Sequence, residues 1–260
     1  MPDFLPSAVI ITRPLAQAAE LAERVRAMGR TAIIFPLLEI HPLTDTAALR
    51  AALARLHEFA LVAFVSPNAI DATFAQLDYW PLQTPLAVMG EGSRRALARH
   101  GVTSDRFNIS SPQDTVRTDS ETLLQQLDLS QLRGRRVLIL RGESGREWLA
   151  DALRNAGIEV EQVAAYRRTA PAMTEARRQQ LRQLLQQPND WLISSSEALR
   201  ILLDAAAQVD PEQSVAKLQH QNWFAPHPRI ADVARAAGLQ SIHLTHAGDD
   251  GLLTALQFGA

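Results

Sequence analysis

The chain carries the stretch VLILRGE at residues 137–143, and residues 9–14 carry a similar stretch, VIITRP. Each stretch begins with an apolar run typical of a buried strand, continues into a polar turn that contains an arginine, and leads into a segment with helical spacing. Glycine ends both helical segments, at Gly29 and Gly157, and a second apolar run follows each glycine. The sequence therefore predicts the same strand–helix–strand unit twice.

The similarity continues in the same order along the chain. The corresponding segments are 63–70 with 191–199, 86–97 with 223–233, Gly101 with Gly238, and 120–123 with 249–252. Strands that alternate with helices indicate parallel sheets with right-handed crossovers. We therefore predict two similar α/β lobes of about five strands each, which is a flavodoxin-like count. A ligand is expected in the cleft between two such lobes.

The elements follow from the apolar periodicity and from the glycines and prolines that interrupt it. Strands are predicted near residues 8–12, 31–38, 61–66, 86–90, 105–109, 137–141, 159–166, 191–194, 222–225 and 241–245. Helices are predicted near residues 15–28, 45–56, 67–78, 92–100, 119–127, 144–156, 173–186, 196–207, 228–237 and 249–257.

The positions of the repeated units indicate where the chain passes between lobes. The first copy supplies only two strands and one helix, and the units after Arg168 are too few to form a lobe alone. We predict a discontinuous lobe of residues 1–38 plus 169–260 and a continuous lobe of residues 39–168. A single cut near residue 130, which gives tandem lobes, is the alternative.

Composition excludes several classes of chemistry. The 260 residues include no cysteine, which excludes disulfides, thiolate nucleophiles and cysteine metal sites. Lys217, in a predicted polar loop at 213–221, is the single lysine beside 25 arginines, so a Schiff-base mechanism is disfavoured. The net charge of −2 gives no general attraction to nucleic acid or to anionic membranes.

The N-terminal sequence carries no targeting signal that we recognise. Met1-Pro2-Asp3 begins without a basic segment, and no apolar stretch approaches the ~20 residues that a membrane span needs. We therefore expect a cytoplasmic protein that does not enter the membrane.

Six polar turns follow predicted strands and precede predicted helices. In open parallel sheets, ligands bind beyond the carboxyl ends of the strands, and the free N–H groups of helix N-termini attract anions there. Simple helix capping is the alternative role for the serines and asparagine in these turns. The candidate binding residues are Arg13, Ser66, Asn68, Gly90, Ser93, Arg141, Gly142, Arg146, Ser195, Ser196 and His227.

The turn at residues 141–146 is the richest of the six, since its two arginines suit bidentate recognition of carboxylates. It lacks the lysine of a P-loop, and the turn at Gly90 lacks the third glycine of a dinucleotide fingerprint. His243 and His246 have no third ligand at a suitable spacing, so no metal site is predicted.

Tyr166 is one of two tyrosines and is the last residue of the predicted strand 159–166. It is either a half-buried strand residue with a solvated hydroxyl or a hydroxyl donor that faces the ligand. The sequence alone leaves both roles open.

Taken together, these motifs resemble the uroporphyrinogen-III synthase family over essentially the whole chain. The resemblance rests on Thr12-Arg13-Pro14, Val65–Ile70, Met89-Gly90 with Ser93–Leu97, Ser120–Leu124, Leu138–Arg146, Val163–Arg168, Ser194-Ser195 with Ala198, and His227–Ala231.

The resemblance implies two flavodoxin-like lobes with parallel sheets, one of them discontinuous, joined by a two-strand connection. It implies cyclisation of the linear tetrapyrrole hydroxymethylbilane with inversion of its last ring, without metal or organic cofactor, and with Tyr166 in the position of the tyrosine proposed as general acid. Val65 and Ser93 stand where the family usually has threonine, and His227 stands in a segment where a glycine-proline-threonine pattern is common.

The family also implies a small-molecule substrate, a monomer, and a transient hand-over of substrate from hydroxymethylbilane synthase. Two other classes stay open. A two-lobed anion sensor would use the same cleft without needing Tyr166. A phosphosugar or nucleotide enzyme would use the turn at residues 141–146, but it would require a metal or phosphate ligand set that the sequence does not show.

Overall fold

The computed structural model describes residues 7–112 and 119–258, which form two compact units. The first unit contains the chain up to Glu39 and from Thr169 onward, and the second unit is Ile40–Arg168. No helix in the described ranges is long and apolar enough to span a bilayer.

The described chain contains eleven strands in two sheets. They are β1 (Val9–Ile11), β2 (Ala32–Ile34), β3 (Glu39–Pro42), β4 (Leu61–Phe64), β5 (Leu86–Val88), β6 (Ile109–Ser110), β7 (Arg136–Gly142), β8 (Glu159–Thr169), β9 (Asp190–Leu192), β10 (Asn222–Ala225) and β11 (Ile242–Leu244).

Twelve α-helices connect the strands of the described ranges. They are α1 (Leu15–Ala27), α2 (Ala47–Leu53), α3 (Pro67–Phe74), α4 (Glu91–Arg99), α5 (Ser120–Gln125), α6 (Leu129–Leu132), α7 (Trp148–Asn155), α8 (Glu175–Leu184), α9 (Ser196–Val209), α10 (Ser214–Gln219), α11 (Pro228–Ala236) and α12 (Gly248–Phe258), and a 3-10 turn spans Leu56–Glu58.

The sheet of the first unit is parallel throughout and has the order β11-β10-β9-β1-β2. Numbered along the chain within the unit, this order is 2-1-3-4-5, the order of flavodoxin-like folds. The central strand β9 joins the two parts of the discontinuous unit, because Ile10 of β1 lies opposite Trp191.

The sheet of the second unit has the order β3-β8-β7-β4-β5-β6, and its strands β4 to β8 are paired in parallel. Here β7 and β8 take the places that β1 and β2 hold in the first unit, as the sequence repeat predicts. In the first unit the chain begins with the strand at the position of β7, whereas in the second unit it begins the corresponding order with β4. The second unit is therefore a circular permutation of the first. The parallel α/β sheets confirm the predicted fold class.

Glycine ends equivalent helices in both units with the same backbone geometry. Gly29 follows α1 with φ 77°, and Gly157 follows α7 with φ 80°. The next residues, Arg30 and Ile158, donate their N–H groups to the carbonyls of Val25 and Leu153. This is the Schellman arrangement, which favours glycine because other residues rarely adopt positive φ.

Apolar residues cover both faces of each sheet. In the first unit, the side chains of Trp191 and Trp223 stack with ring centroids 5.9 Å apart, and Phe35 meets Trp191 edge-on at 6.3 Å. In the second unit, Phe64 and Trp80 form a similar pair at 5.5 Å. These cores hold the strands in place, so the loops at their carboxyl ends have fixed starting points.

Three parts of the sequence prediction are wrong. Residues 105–108 are not in a strand, because Thr103 accepts hydrogen bonds from the N–H groups of Arg106 and Phe107 in a turn, and β6 begins only at Ile109. The predicted polar loop at 213–221 contains helix α10, in which Lys217 pairs with Asp210 at 2.5 Å. Strand β3 and helix α6 were not predicted.

Candidate functional site

Ser66 links the end of strand β4 to the start of helix α3. Its backbone is extended (φ −164°, ψ 155°), and its hydroxyl accepts a hydrogen bond of 3.2 Å from the Ala69 N–H. Pro67 follows at the first helical position, where its missing N–H costs nothing and its fixed φ suits the helix. Ser66 is therefore the N-cap of α3 and is held rigidly at the carboxyl edge of the sheet. Asn68, in the first turn of α3, is half-buried.

Tyr166 lies within strand β8 and is 4% exposed. A register shift between Arg141 and Gly142 brings Gly142 opposite Tyr166, and the tyrosine ring packs directly over this glycine. A Cβ at Gly142 would stand 3.1 Å from Cζ and 3.3 Å from the hydroxyl oxygen of Tyr166. The Tyr166 hydroxyl lies 3.1 Å from the Ser66 Oγ. The second unit therefore brings Ser66, Gly142 and Tyr166 together at its carboxyl edge.

Arg141 is buried in a hydrogen-bonded group within the second unit. It is 7% exposed, and its Nη1 donates to Glu147 at 2.5 Å and to Gln162 at 2.6 Å. The hydrogen bonds from Gln162 and Arg141 lower the pKa of the Glu147 carboxyl, so this partner is ionised at neutral pH. Arg141 thus already has a carboxylate partner from its own loop, and its predicted contact with a ligand stays a prediction.

Arg146 lies at the exposed end of the same loop. It pairs with Glu121 at 2.8 Å, and its guanidinium is 5.9 Å from the centre of the Trp148 ring. Both partners leave much of the arginine accessible, since 45% of its side chain is exposed. Of the two arginines predicted in this loop, Arg146 is therefore the better placed to meet a ligand.

Gly90 is the N-cap residue just before helix α4, and its φ of 153° disfavours any residue with a side chain. The Gly90 carbonyl accepts the N–H groups of Ser93 and Arg94 at 3.0 Å. Ser93 is buried, so it lies inside the packed face of α4 rather than on the surface.

The first unit places Arg13 directly after strand β1. Its guanidinium forms an ion pair with Asp249 in the first turn of α12. The preceding residue, Thr12, is buried and donates its hydroxyl to the Leu192 carbonyl at 2.7 Å. These contacts fix the end of β1 against β9 and α12.

Ser195 caps helix α9 as Ser66 caps α3. Its hydroxyl accepts from the Ala198 N–H at 3.0 Å, and its backbone is extended in the same way (φ −155°, ψ 151°). Ser196 follows as the first residue of α9 and is half-buried. The equivalence predicted from the sequence repeat thus extends to the capping hydrogen bond.

His227 caps helix α11 with its ring. Its Nδ1 accepts a hydrogen bond of 3.1 Å from the Arg229 N–H, which requires an unprotonated Nδ1. The imidazole therefore does the capping that serine does in α3 and α9. Pro228 occupies the first helical position, as Pro67 does in α3.

Several residues of these edges were not predicted. Asp249, Glu147 and Gln162 hold the predicted arginines. Asp249 and Gln162 come from distant elements that no local sequence pattern identifies, and Glu147, in the loop of Arg141 itself, was not singled out. Leu15 and Trp148 are exposed apolar residues, and they are the first residues of the equivalent helices α1 and α7. The sequence repeat did not identify them as equivalent positions, because it did not predict where α7 begins. Within residues 7–112 and 119–258, no three histidine or acidic side chains come together as a metal site.

The sheet order and the capped, polar turns at the carboxyl ends of the strands define a two-unit, flavodoxin-like α/β protein. Two solved structures share this fold. One, a uroporphyrinogen-III synthetase from Helicobacter pylori, has a TM-score of 0.60 at 15% identity over 97% of this chain and 99% of that one. A mutant uroporphyrinogen III synthase from Thermus thermophilus has a TM-score of 0.57 at 17% identity, over 97% and 100% of the two chains.

Sequence comparison identifies the family. The family model described as uroporphyrinogen-III synthase HemD matches residues 19–253. The uroporphyrinogen-III synthase of Escherichia coli is 34% identical over 96% of this chain and 99% of its own length. That of Salmonella typhimurium is also 34% identical, over 96% and 99%. The chain belongs to the uroporphyrinogen-III synthase family.

Proposed function

We propose that this member of the uroporphyrinogen-III synthase family closes hydroxymethylbilane to uroporphyrinogen III, with inversion of ring D and loss of water. The match to curated synthases over nearly the whole chain carries the proposal. The reaction begins when the terminal hydroxyl leaves as water and an azafulvene cation forms. The cation attacks the substituted carbon of ring D, and the resulting spiro intermediate breaks and recloses with that ring inverted.

The protein's main contribution is to hold a flexible substrate in the geometry of the inverted product. Closure also occurs without the enzyme and gives the non-inverted isomer, so selective positioning is the task. The bilane carries eight carboxylates, and helix N-termini are favourable sites for such anions. Side-chain-capped N-termini occur at α3 in one unit and at α9 and α11 in the other, and α4 begins after Gly90 without a side-chain cap.

We assign the proton donor for the departing hydroxyl to Tyr166. Its hydroxyl lies beside the N-cap of α3 at the carboxyl edge of the sheet, where ligands of such folds bind. In this proposal the substrate meets the hydroxyl, the one polar group of a side chain that is otherwise buried in the second unit. The family resemblance implies that this chemistry needs no cofactor.

The assay supplies hydroxymethylbilane to the purified protein, oxidises the products and separates the isomers. We expect the type III isomer in the presence of the protein and the non-inverted isomer in buffer alone. An isomer distribution equal to that of buffer would overturn the proposed function.

Replacing Gly142 with alanine should disturb Tyr166 without removing its hydroxyl. The added Cβ lies 3.1 Å from Cζ of Tyr166, so the ring must shift by a few tenths of an ångström. We expect kcat to fall about threefold to tenfold, since small displacements of reacting groups are costly. In a Tyr166→Phe background the same substitution should have little further effect on kcat. An equal loss in both backgrounds would show that Gly142 acts independently of the tyrosine.

The instability of the substrate gives a reason for the predicted hand-over. Free hydroxymethylbilane closes spontaneously to the wrong isomer, so direct transfer from hydroxymethylbilane synthase shortens the time available for that reaction. We include this transfer, a monomeric state and a cytoplasmic location in the proposal. Comparing type III yield with the two proteins mixed and with bilane added from solution tests the transfer.

A further inference from the structure

We propose that Ser66 is a positioning residue for Tyr166, because its hydroxyl orients the tyrosine proton toward the substrate and stabilises the oxygen that remains after proton transfer. This inference rests on the proposed role of Tyr166 as proton donor and adds a role for the N-cap of α3.

The hydrogen bonds around Ser66 have one arrangement that suits proton donation. A serine hydroxyl has one proton and two lone pairs. One lone pair of Ser66 Oγ accepts the Ala69 N–H at 3.2 Å, and its proton is available to the Tyr166 oxygen 3.1 Å away. With Ser66 as donor, the Tyr166 proton is left for the substrate. The reverse orientation would direct that proton into the protein.

The proton transfer is then balanced as follows. Tyr166 gives its proton to the hydroxyl of the substrate as the carbon–oxygen bond breaks, and water leaves with the electrons of that bond. The pyrrole nitrogen stabilises the resulting cation, and the tyrosine oxygen carries the negative charge. Ser66 donates to this oxygen, and the N-terminus of α3 lies behind the serine, so the new charge meets dipoles that are already oriented. A proton released when the product ring regains aromaticity restores Tyr166.

Both hydroxyls are held before substrate arrives. The extended backbone of Ser66 and the proline that follows it fix the serine, and packing of the ring on Gly142 fixes the tyrosine. Little reorganisation is therefore needed during the reaction, which is the condition under which such hydrogen bonds contribute most to catalysis.

The first unit provides a natural comparison. Ser195 caps α9 with the same backbone geometry and a hydrogen bond of similar length. Both tyrosines of the chain, Tyr79 and Tyr166, lie in the second unit, so the first unit contains no tyrosine of its own. If Ser66 does more than cap its helix, its replacement should affect kcat in a way that depends on Tyr166, and replacement of Ser195 should not.

The experiment measures kcat and KM for Ser66→Ala, alone and combined with Tyr166→Phe. We expect kcat of the single variant to fall about fivefold to tenfold with KM nearly unchanged, as the loss of one well-placed hydrogen bond predicts. In the Tyr166→Phe background the serine substitution should change kcat less than twofold. Ser66→Thr, which keeps a hydroxyl at the same position, should restore most of the loss.

Two further variants separate positioning from helix capping. Ser66→Gly removes the hydroxyl at little cost to the cap and should lower kcat as Ser66→Ala does. Thr174→Ala removes the N-cap of α8, which accepts the Arg177 N–H at 3.3 Å, and should lower the unfolding midpoint while leaving kcat unchanged. In the double variant, any fold-change in kcat from Ser195→Ala should multiply with the fold-change from Tyr166→Phe. The fold-change from Ser66→Ala should not, because it acts through Tyr166.

Two outcomes would overturn the inference. One is a kcat loss in Ser66→Ala that persists in full in the Tyr166→Phe background, and the other is wild-type kcat in both Ser66→Ala and Ser66→Gly. These results differ from failure of the proposed function, in which the wild-type protein itself would make no type III isomer.

Discussion

Replacing Tyr166 with phenylalanine is expected to lower kcat by about a hundredfold, at the low end of what a general acid contributes. The loss should be partial because a tyrosine is a weak acid and the protein still holds the bilane in position. KM should change little, since the ring and its packing on Gly142 remain. Initial rates of type III formation at several bilane concentrations measure both constants.

Tyr79 gives a matched control for this substitution. It is the other tyrosine of the chain, is 74% exposed, and lies between α3 and β5, away from the carboxyl edge of the sheet. Tyr79→Phe should leave kcat and KM unchanged. If Tyr166→Phe retained the full rate as well, Tyr166 would not be the proton donor.

Replacing Trp191 with alanine should destabilise the first unit by about 3–5 kcal/mol, the range for deleting a large buried aromatic side chain. Trp191 is completely buried on the central strand β9, stacks on Trp223 and meets Phe35 edge-on. Its indole N–H also donates to Gln221 at 3.0 Å. Total stabilities of domains are only about 5–15 kcal/mol, so the unit should unfold at a much lower urea concentration.

Urea unfolding followed by circular dichroism measures this loss, and two variants serve as controls. Trp191→Phe keeps most of the buried volume and loses only the hydrogen bond. It should therefore lower the free energy of unfolding clearly less than Trp191→Ala does. Trp148→Ala removes a tryptophan that is 36% exposed and should change the midpoint far less. Equal shifts for the two alanine variants would contradict the assignment of Trp191 to the core.

The fold class was predictable because the strands that define it are short apolar runs between clear helical segments. Runs such as Val9–Ile11 and Leu138–Leu140 are completely or almost completely buried, and the glycines predicted to end α1 and α7 do so, with positive φ. The repeat also identified which strands correspond, and both sheets place corresponding strands in corresponding positions. Local pattern and tertiary structure agree at these positions.

Elements that depend on distant partners could not be predicted in this way. Strand β3 contains Glu39, His41 and Pro42, which are not typical strand formers, and it exists because β8 lies beside it. Helix α10 is only six residues long and lies between glutamines and His220, so its surroundings resemble a loop. The turn at Thr103 uses backbone hydrogen bonds that apolar spacing does not reveal.

In the candidate site, too, features set by the local sequence were predictable and contacts with distant residues were not. Ser66 and Ser195 were predicted as binding residues with helix capping as the alternative role; both cap their helices, and the binding role stays a prediction. The burial of Arg141 was not predicted, because its partner Gln162 comes from a neighbouring strand. The proximity of Ser66 and Tyr166, 100 residues apart in the sequence, likewise depends on the sheet order.

The insertion of one unit within the other affects protein synthesis. Strand β1 must wait for β9, which is 181 residues further along the chain at the matched positions Val9 and Asp190. At about 5–20 residues per second this delay is roughly 10–40 s, during which the inserted unit leaves the ribosome complete. The inserted unit can therefore fold first, while β1 has β2 beside it but remains without its other neighbour until β9 is made.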